Sequence, residues 1–209
     1  MIFFDVHTHK INKEKDIVSI LSCPWKEDES FYSAGIHPWH IKDNYLEELT
    51  KIDSIANKPS ILAIGEIGLD RVCQTDFELQ KKVFIAQLAI AQKHNKSVII
   101  HCVRAYDEIL NLTKGNKVPL IMHGFNKGTE LARQFTEKGF YLSFGKSLLD
   151  KKSKSIDAFE KSPLDHIFLE TDDSDFTVQE LYKRASEIKR IEVETLALQI
   201  EYNFNLIIS

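Results

Sequence analysis

Apolar residues along this chain gather in short runs rich in β-branched and aromatic side chains: residues 2–6, 17–21, 31–36, 61–68, 97–102, 118–125, 140–145 and 166–172. Each run has strand length. Most of the segments between them carry apolar residues at helical period. Residues 43–57 place Tyr45, Leu49, Ile52 and Ala56 on one face. Residues 74–94 open with Thr75 and Glu78 spaced as a capping box and continue with Phe77, Phe84, Leu88 and Ala91. Further helices fit 104–114, 127–138, 150–161, 176–189 and 191–203.

Strands alternating with helices at this length predict an α/β fold of the TIM (β/α)8 barrel type, in one domain over 1–209. The barrel is expected to be trimmed. Residues 10–16 and 22–30, the latter with Pro24 and Trp25, are too short for ordinary crossover helices, so the first two of these are expected to be shortened or missing.

A chain of 209 residues with 43% hydrophobic content buries roughly 70% of its unfolded surface, so it needs neither disulfide nor structural metal for a core. Cys23, Cys73 and Cys102 are odd in number and unpaired in spacing, which points to thiols in a reducing compartment. No secretory h-region or membrane-length apolar window is found, and a cytoplasmic protein without a membrane partner is expected. A net charge of −4 excludes a broad basic surface, but not a local positive site.

Candidate chemistry sits at the C-terminal ends of the strands, where barrel enzymes build their sites. His7 and His9 end the first run, Glu66 lies in the fourth, His101 ends the fifth, His123 lies in the sixth and Asp172 ends the eighth. All are metal-ligand types. A lone strand-end histidine is usually a hydrogen-bonded structural residue, and a lone acid usually a helix cap. Independent explanations of that kind fit poorly when all the candidates fall on one rim.

The stretches DVHTH, GIHPWH, AIGEIGLD, VIIHC, MHGF, LSFG and LETD resemble, in order and spacing from residue 2 to about 173, the motifs of the TatD-like metal-dependent hydrolases of the amidohydrolase-like superfamily. The resemblance implies two divalent cations, with His7, His9 and Asp172 on one, His101 and His123 on the other, and Glu66 as bridge. Zinc, manganese or iron suit this donor set, and magnesium less so. It further implies a water activated by both metals, Glu66 and Asp172 as catalytic groups with Asp172 handling the proton, and a phosphodiester substrate, DNA above all.

Two divalent ions against two carboxylates leave a local charge of about +2. His37, Arg71, Arg104, Lys127 and Lys146 follow strand ends and are candidate substrate contacts. Trp39 is read as a rim aromatic, His40 as structural, Cys102 as a small core residue, and His94 and His166 as surface residues. The chain departs from the family pattern in Arg104, which stands three residues after His101, in HGFNKG, and in DSDF after LETD, whose acids repel a polyanion. A small-molecule amide or ester hydrolase with the same site, or a barrel that only binds, are the rivals. Oligomeric state is left open.

Overall fold

The structure is a computed structural model that describes residues 1–22 and 30–208. The chain forms two compact units, Met1–Leu21 with Ile121–Ser209, and Ser22–Leu120.

In the first unit β1 (Phe3–Thr8) runs parallel to β2 (Ile17–Ser22), pairing Phe3 with Ile17 and Thr8 with Leu21. From Ile121 onward β6 (Leu120–Met122), β7 (Tyr141–Phe144) and β8 (Ile167–Leu169) form parallel neighbours. Beyond β8 the chain returns to β1: Thr8 bridges Asp172 in parallel, Asp172 N–H donates to the His7 carbonyl at 3.0 Å, and His9 N–H donates to the Asp172 carbonyl at 3.0 Å. The last strand lies beside the first, as barrel closure requires and an open sheet does not. Helices α4 (Thr129–Thr136), α5 (Ser155–Lys161), α6 (Val178–Lys189) and α7 (Val193–Ile207) belong to this unit.

Strand alternation sets which face of β1 carries chemistry. The Phe4 ring packs on Phe204 of α7 at 4.6 Å, and the Phe4 peptide N–H and carbonyl both bond the Tyr182 hydroxyl of α6 at 3.1 Å. Phe4 therefore faces the helices and Asp5 the opposite side, and beyond Asp5 the β1 register shifts, so that Thr8 as well as Asp5 meets the Thr171 hydroxyl.

The second unit holds β3 (Phe31–Ala34), β4 (Ile61–Asp70) and β5 (Ser97–Val103), all parallel. Its helices are α1 (Tyr45–Ile55), α2 (Phe77–His94) and α3 (Tyr106–Leu112), with a 3-10 turn at Pro38–His40 before α1. β4 and β5 approach so closely that a Cβ on Gly68 would lie 1.9 Å from the His101 carbonyl oxygen, so only glycine fits there. Buried glutamines on α2 fasten two strand ends. The Gln80 side-chain amide exchanges hydrogen bonds with both backbone groups of Asp70 at 2.7 and 3.0 Å, and Gln87 does the same for Ile36 at 2.6 and 3.2 Å.

The seven expected helices are present within a few residues of their predicted ends. The start of α2 differs: Asp76, not Thr75, is its N-cap and accepts from Leu79 N–H at 2.8 Å, in keeping with the stronger capping preference of Asp over Thr. No helix joins β1 to β2, as the short spacing predicted. The second shortened connection, with Cys23, Pro24 and Trp25, lies outside the described residues. Among the described residues no helix is long and apolar enough to cross a membrane.

Candidate functional site

In the first unit the β1 end and the turn after β8 bring ligand types together. One ligand atom from each of His7, His123 and Asp172 lies within 4.8 Å of the others. His7 is fully buried. Its Nε2 is 3.7 Å from Asp172 Oδ1, and Nε2 of the more open His9 is 3.4 Å from the same oxygen. The His7 and His123 ring centroids are 4.4 Å apart. Asp172 adopts φ +54°, a left-handed conformation that Asp tolerates better than most residues, and this turn carries its carboxylate to the histidines.

Behind these ligand types stands a layer of buried acids. The Glu170 carboxylate accepts from Gly124 N–H at 2.7 Å through Oε1, which lies 3.1 Å from His123 Nδ1. A carboxylate only accepts, so Nδ1 is the protonated nitrogen and Nε2 is left to ligate. Gly124 stands at φ +60°, a conformation that costs glycine little. Asp5 takes Thr171 N–H at 3.0 Å and the Thr171 hydroxyl at 2.6 Å, which ties β1 to the chain just before Asp172. Burial pushes the Asp5 carboxyl up to about 7, against the Thr171 hydrogen bonds that pull it down.

The second unit carries its own cluster, His37, Glu66 and His101, again with ligand atoms within 4.8 Å. Glu66 Oε1 is 2.8 Å from His101 Nδ1 and 3.4 Å from His37 Nε2. His37 Nδ1 accepts from Trp39 N–H at 3.1 Å, so a neutral His37 carries its proton on Nε2 and donates toward Glu66. It orients the carboxylate rather than competing for an ion. Burial lowers the His37 pKa, with the Glu66 hydrogen bond opposing, so the neutral ring is favoured. His101 Nε2 lies 3.2 Å from Asp70 Oδ2, which also accepts from Trp39 Nε1 at 2.6 Å. Asp70 is pushed up by burial yet held below the usual carboxylate range by its donors Trp39, Val72 N–H and His101.

Each cluster mixes imidazole with carboxylate, the donor chemistry of zinc, manganese and iron sites, and each holds a histidine whose remote nitrogen faces a buried acid. The residues present fit divalent cations.

The basic residues are arranged less uniformly. Arg71 bonds Glu108 and lies over the Phe77 ring at 4.1 Å. Lys146 is 3.7 Å from Asp173. Arg104, at φ +55°, and Lys127 are exposed. Trp39 is 60% exposed, and His40 is exposed beside His37. His94 is not the open surface residue expected from its helix-end position: its ring is sandwiched between Asp53 at 2.7 Å and Asn57 at 2.8 Å. His166 is half-buried, stacked on Tyr141 at 5.2 Å. Cys102 is only half-buried, not a core residue, because it lies where β5 runs out toward the rim.

Sequence reasoning missed Asp5, Asp70, Glu170 and Thr171. All four lie inside motifs quoted for their neighbours, and strand alternation was the available signal: Asp5 is two residues from His7, and Glu170 two from Asp172.

The chain matches the TatD-related DNase family over residues 4–209. It is 33% identical over 153 residues to the metal-dependent hydrolase YabD of Bacillus subtilis, a match that takes in 70% of this chain and 60% of the relative's length. It is 28% identical over 221 residues to a metal-dependent hydrolase of Haemophilus influenzae, covering 85% of this chain and 83% of that one. The crystal structure of YJJV, a TatD homologue from Escherichia coli, superposes with a TM-score of 0.83 at 21% identity, covering 99% of this chain and 97% of that chain. This likeness establishes the TIM-barrel fold, with eight parallel strands and helices between them. By the extent of the family match and the order of its motifs, the chain belongs to the TatD-related DNase family.

Proposed function

We propose that this chain is a metal-dependent hydrolase that cleaves phosphodiester bonds, as a deoxyribonuclease of the TatD type, with a divalent cation, zinc first among the candidates, held at each of its two clusters. The observation that carries the reading is the pair of His/carboxylate groupings, each with ligand atoms within 4.8 Å. His7, His123 and Asp172, with His9 beside them, would hold one ion, and Glu66 with His101 the other, while His37 donates to Glu66. When bound, such cations lower the pKa of a water and neutralise charge that develops on the substrate. Asp172 Oδ1, facing both His7 and His9, is assigned to accept the proton that the attacking water loses.

Support for an anionic substrate comes from charge. One divalent ion against one ligand carboxylate, Asp172 or Glu66, leaves about +1 at the ligands of each cluster before the buried acids behind them are counted, and Arg104 is exposed after the end of β5. One set of contacts favours the rival, a small-molecule amide or ester. Arg71 is taken up by Glu108, Lys146 lies near Asp173, and Lys10 bonds Asp175 at 2.5 Å, which leaves fewer cations for a polyanion.

The test is turnover of a DNA oligonucleotide and of a neutral aryl ester by metal-loaded protein at 50 and 200 mM salt. For DNA, kcat/KM is expected to fall steeply with salt as counterions compete. Ester turnover without DNA cleavage would establish the rival. Turnover of neither by loaded protein would end the hydrolase reading.

A further inference from the structure

Asp70 closes the fourth strand and is 2% exposed. Its Oδ1 accepts from Val72 N–H at 2.7 Å, and its Oδ2 accepts from the Trp39 indole at 2.6 Å and faces His101 Nε2 at 3.2 Å. Gln80 grips its backbone on both sides. A carboxylate with both oxygens engaged by protein donors is poorly placed to ligate an ion, and the grouping of ligand atoms around His101 contains Glu66 and His37 but not Asp70. The two carboxylates that flank the His101 ring therefore differ in kind: Glu66, at Nδ1, belongs to the cluster, whereas Asp70, at Nε2, stands outside it.

We propose that Asp70 is the positioning residue of the second cluster: it accepts the Nε2 proton of His101, so that the Nδ1 lone pair is presented to the ion, and the Trp39 indole keeps that carboxylate aimed. The inference rests on the metal-binding reading above and adds to it which ring nitrogen ligates and what enforces the choice. Neutral imidazole has one proton to place, and a fixed acceptor at Nε2 places it there. The exposed Trp39 is thereby wired to a metal ligand through one carboxylate. Its ring also stands edge-on to His37, with centroids 5.1 Å apart.

The experiment is a long-range proton–nitrogen correlation spectrum of the zinc-loaded protein with labelled histidine, the His101 signals being assigned by their loss in His101→Gln. The expected result is a proton on Nε2 and a zinc-shifted Nδ1. A proton on Nδ1 would overturn the proposal while leaving metal binding intact. Zinc titration of metal-free wild type separates the two readings, since failure to bind any zinc would remove the metal-binding reading and this one with it. In Asp70→Leu, which removes the acceptor, zinc affinity at one site is expected to fall about 10- to 100-fold, the range for lost outer partners of a metal ligand, with near-UV circular dichroism retained. Trp39→Phe, at an exposed position, is expected to weaken the same site by less. Unchanged affinity in a folded Asp70→Leu would overturn the proposal. Should Asp70→Leu fail to fold, the wild-type spectrum decides alone.

Discussion

Asp172 sits at φ +54°, which makes its replacement by asparagine a clean test, because Asp and Asn both enter the left-handed region at modest cost. The amide oxygen of Asp172→Asn remains a ligand but no longer takes a proton. Metal content is expected to persist while the maximal rate drops by about 10²-fold or more, the scale of removing a general base. His7→Ala should instead lose the ion of the first cluster, with part of its activity returning in excess metal. Metal titration with single-turnover kinetics separates the two. Asp172→Asn working like wild type at saturating metal would leave the assigned base without a role. His7, His9, Glu66, His101, His123 and Asp172 stand out in the sequence as candidate ligands because they gather at strand ends, although each taken alone has an ordinary structural explanation. Asp70 and Glu170 are not, since an acid that serves a histidine and one that caps a helix look alike until distances of 3.2 and 3.1 Å to ring nitrogens tell them apart.

Hydrophobic periodicity is blind to polar residues that belong on a buried face. Gln80 and Gln87 of α2 occupy the same stripe as Phe84 and Leu88, each 1% exposed. In a hydropathy pattern they look like interruptions, yet each completes a strand end whose backbone groups have run out of ladder partners. Gln80→Leu would keep the volume roughly constant, strand the Asp70 N–H and leave the Asp70 carbonyl only the Cys73 thiol at 3.4 Å. Leaving one buried backbone group unsatisfied is expected to cost about 1–3 kcal/mol. The same change should also slacken Asp70 beneath His101 and lower zinc affinity, whereas Gln87→Leu, which acts at Ile36, should cost similar stability with a smaller effect on the metal. Urea denaturation paired with zinc titration checks both, and equal metal losses in the two variants would refute the local route from α2 to the cluster.

At the scale of the whole molecule, the question is whether the clusters hold the fold or the fold holds the clusters. Each unit has an apolar core that owes nothing to the ligand atoms: Val6, Leu142, Phe144, Phe159, Phe168 and Ile200 are fully buried in one, and Ile64, Ile67, Phe84, Val98, Ile99 and Ile100 in the other. Side chains of this kind contribute about 1.5–3 kcal/mol apiece when fully buried, so even a few outweigh what an ion adds. Two of the buried acids behind the ligands, Asp5 and Asp70, are also held by protein donors, Thr171 and Trp39. Chelation is therefore expected to abolish hydrolysis while near-UV circular dichroism and a cooperative urea transition persist, unlike a zinc finger, whose fold is lost with its metal. The midpoint should still fall, because an ion that binds only the folded chain adds about 2.7 kcal/mol at 100 times its Kd. Re-addition of zinc should restore rate and midpoint together. Collapse of the near-UV signal on chelation would show instead that the clusters are structural, and the assignment of their ligands to catalysis would have to be given up.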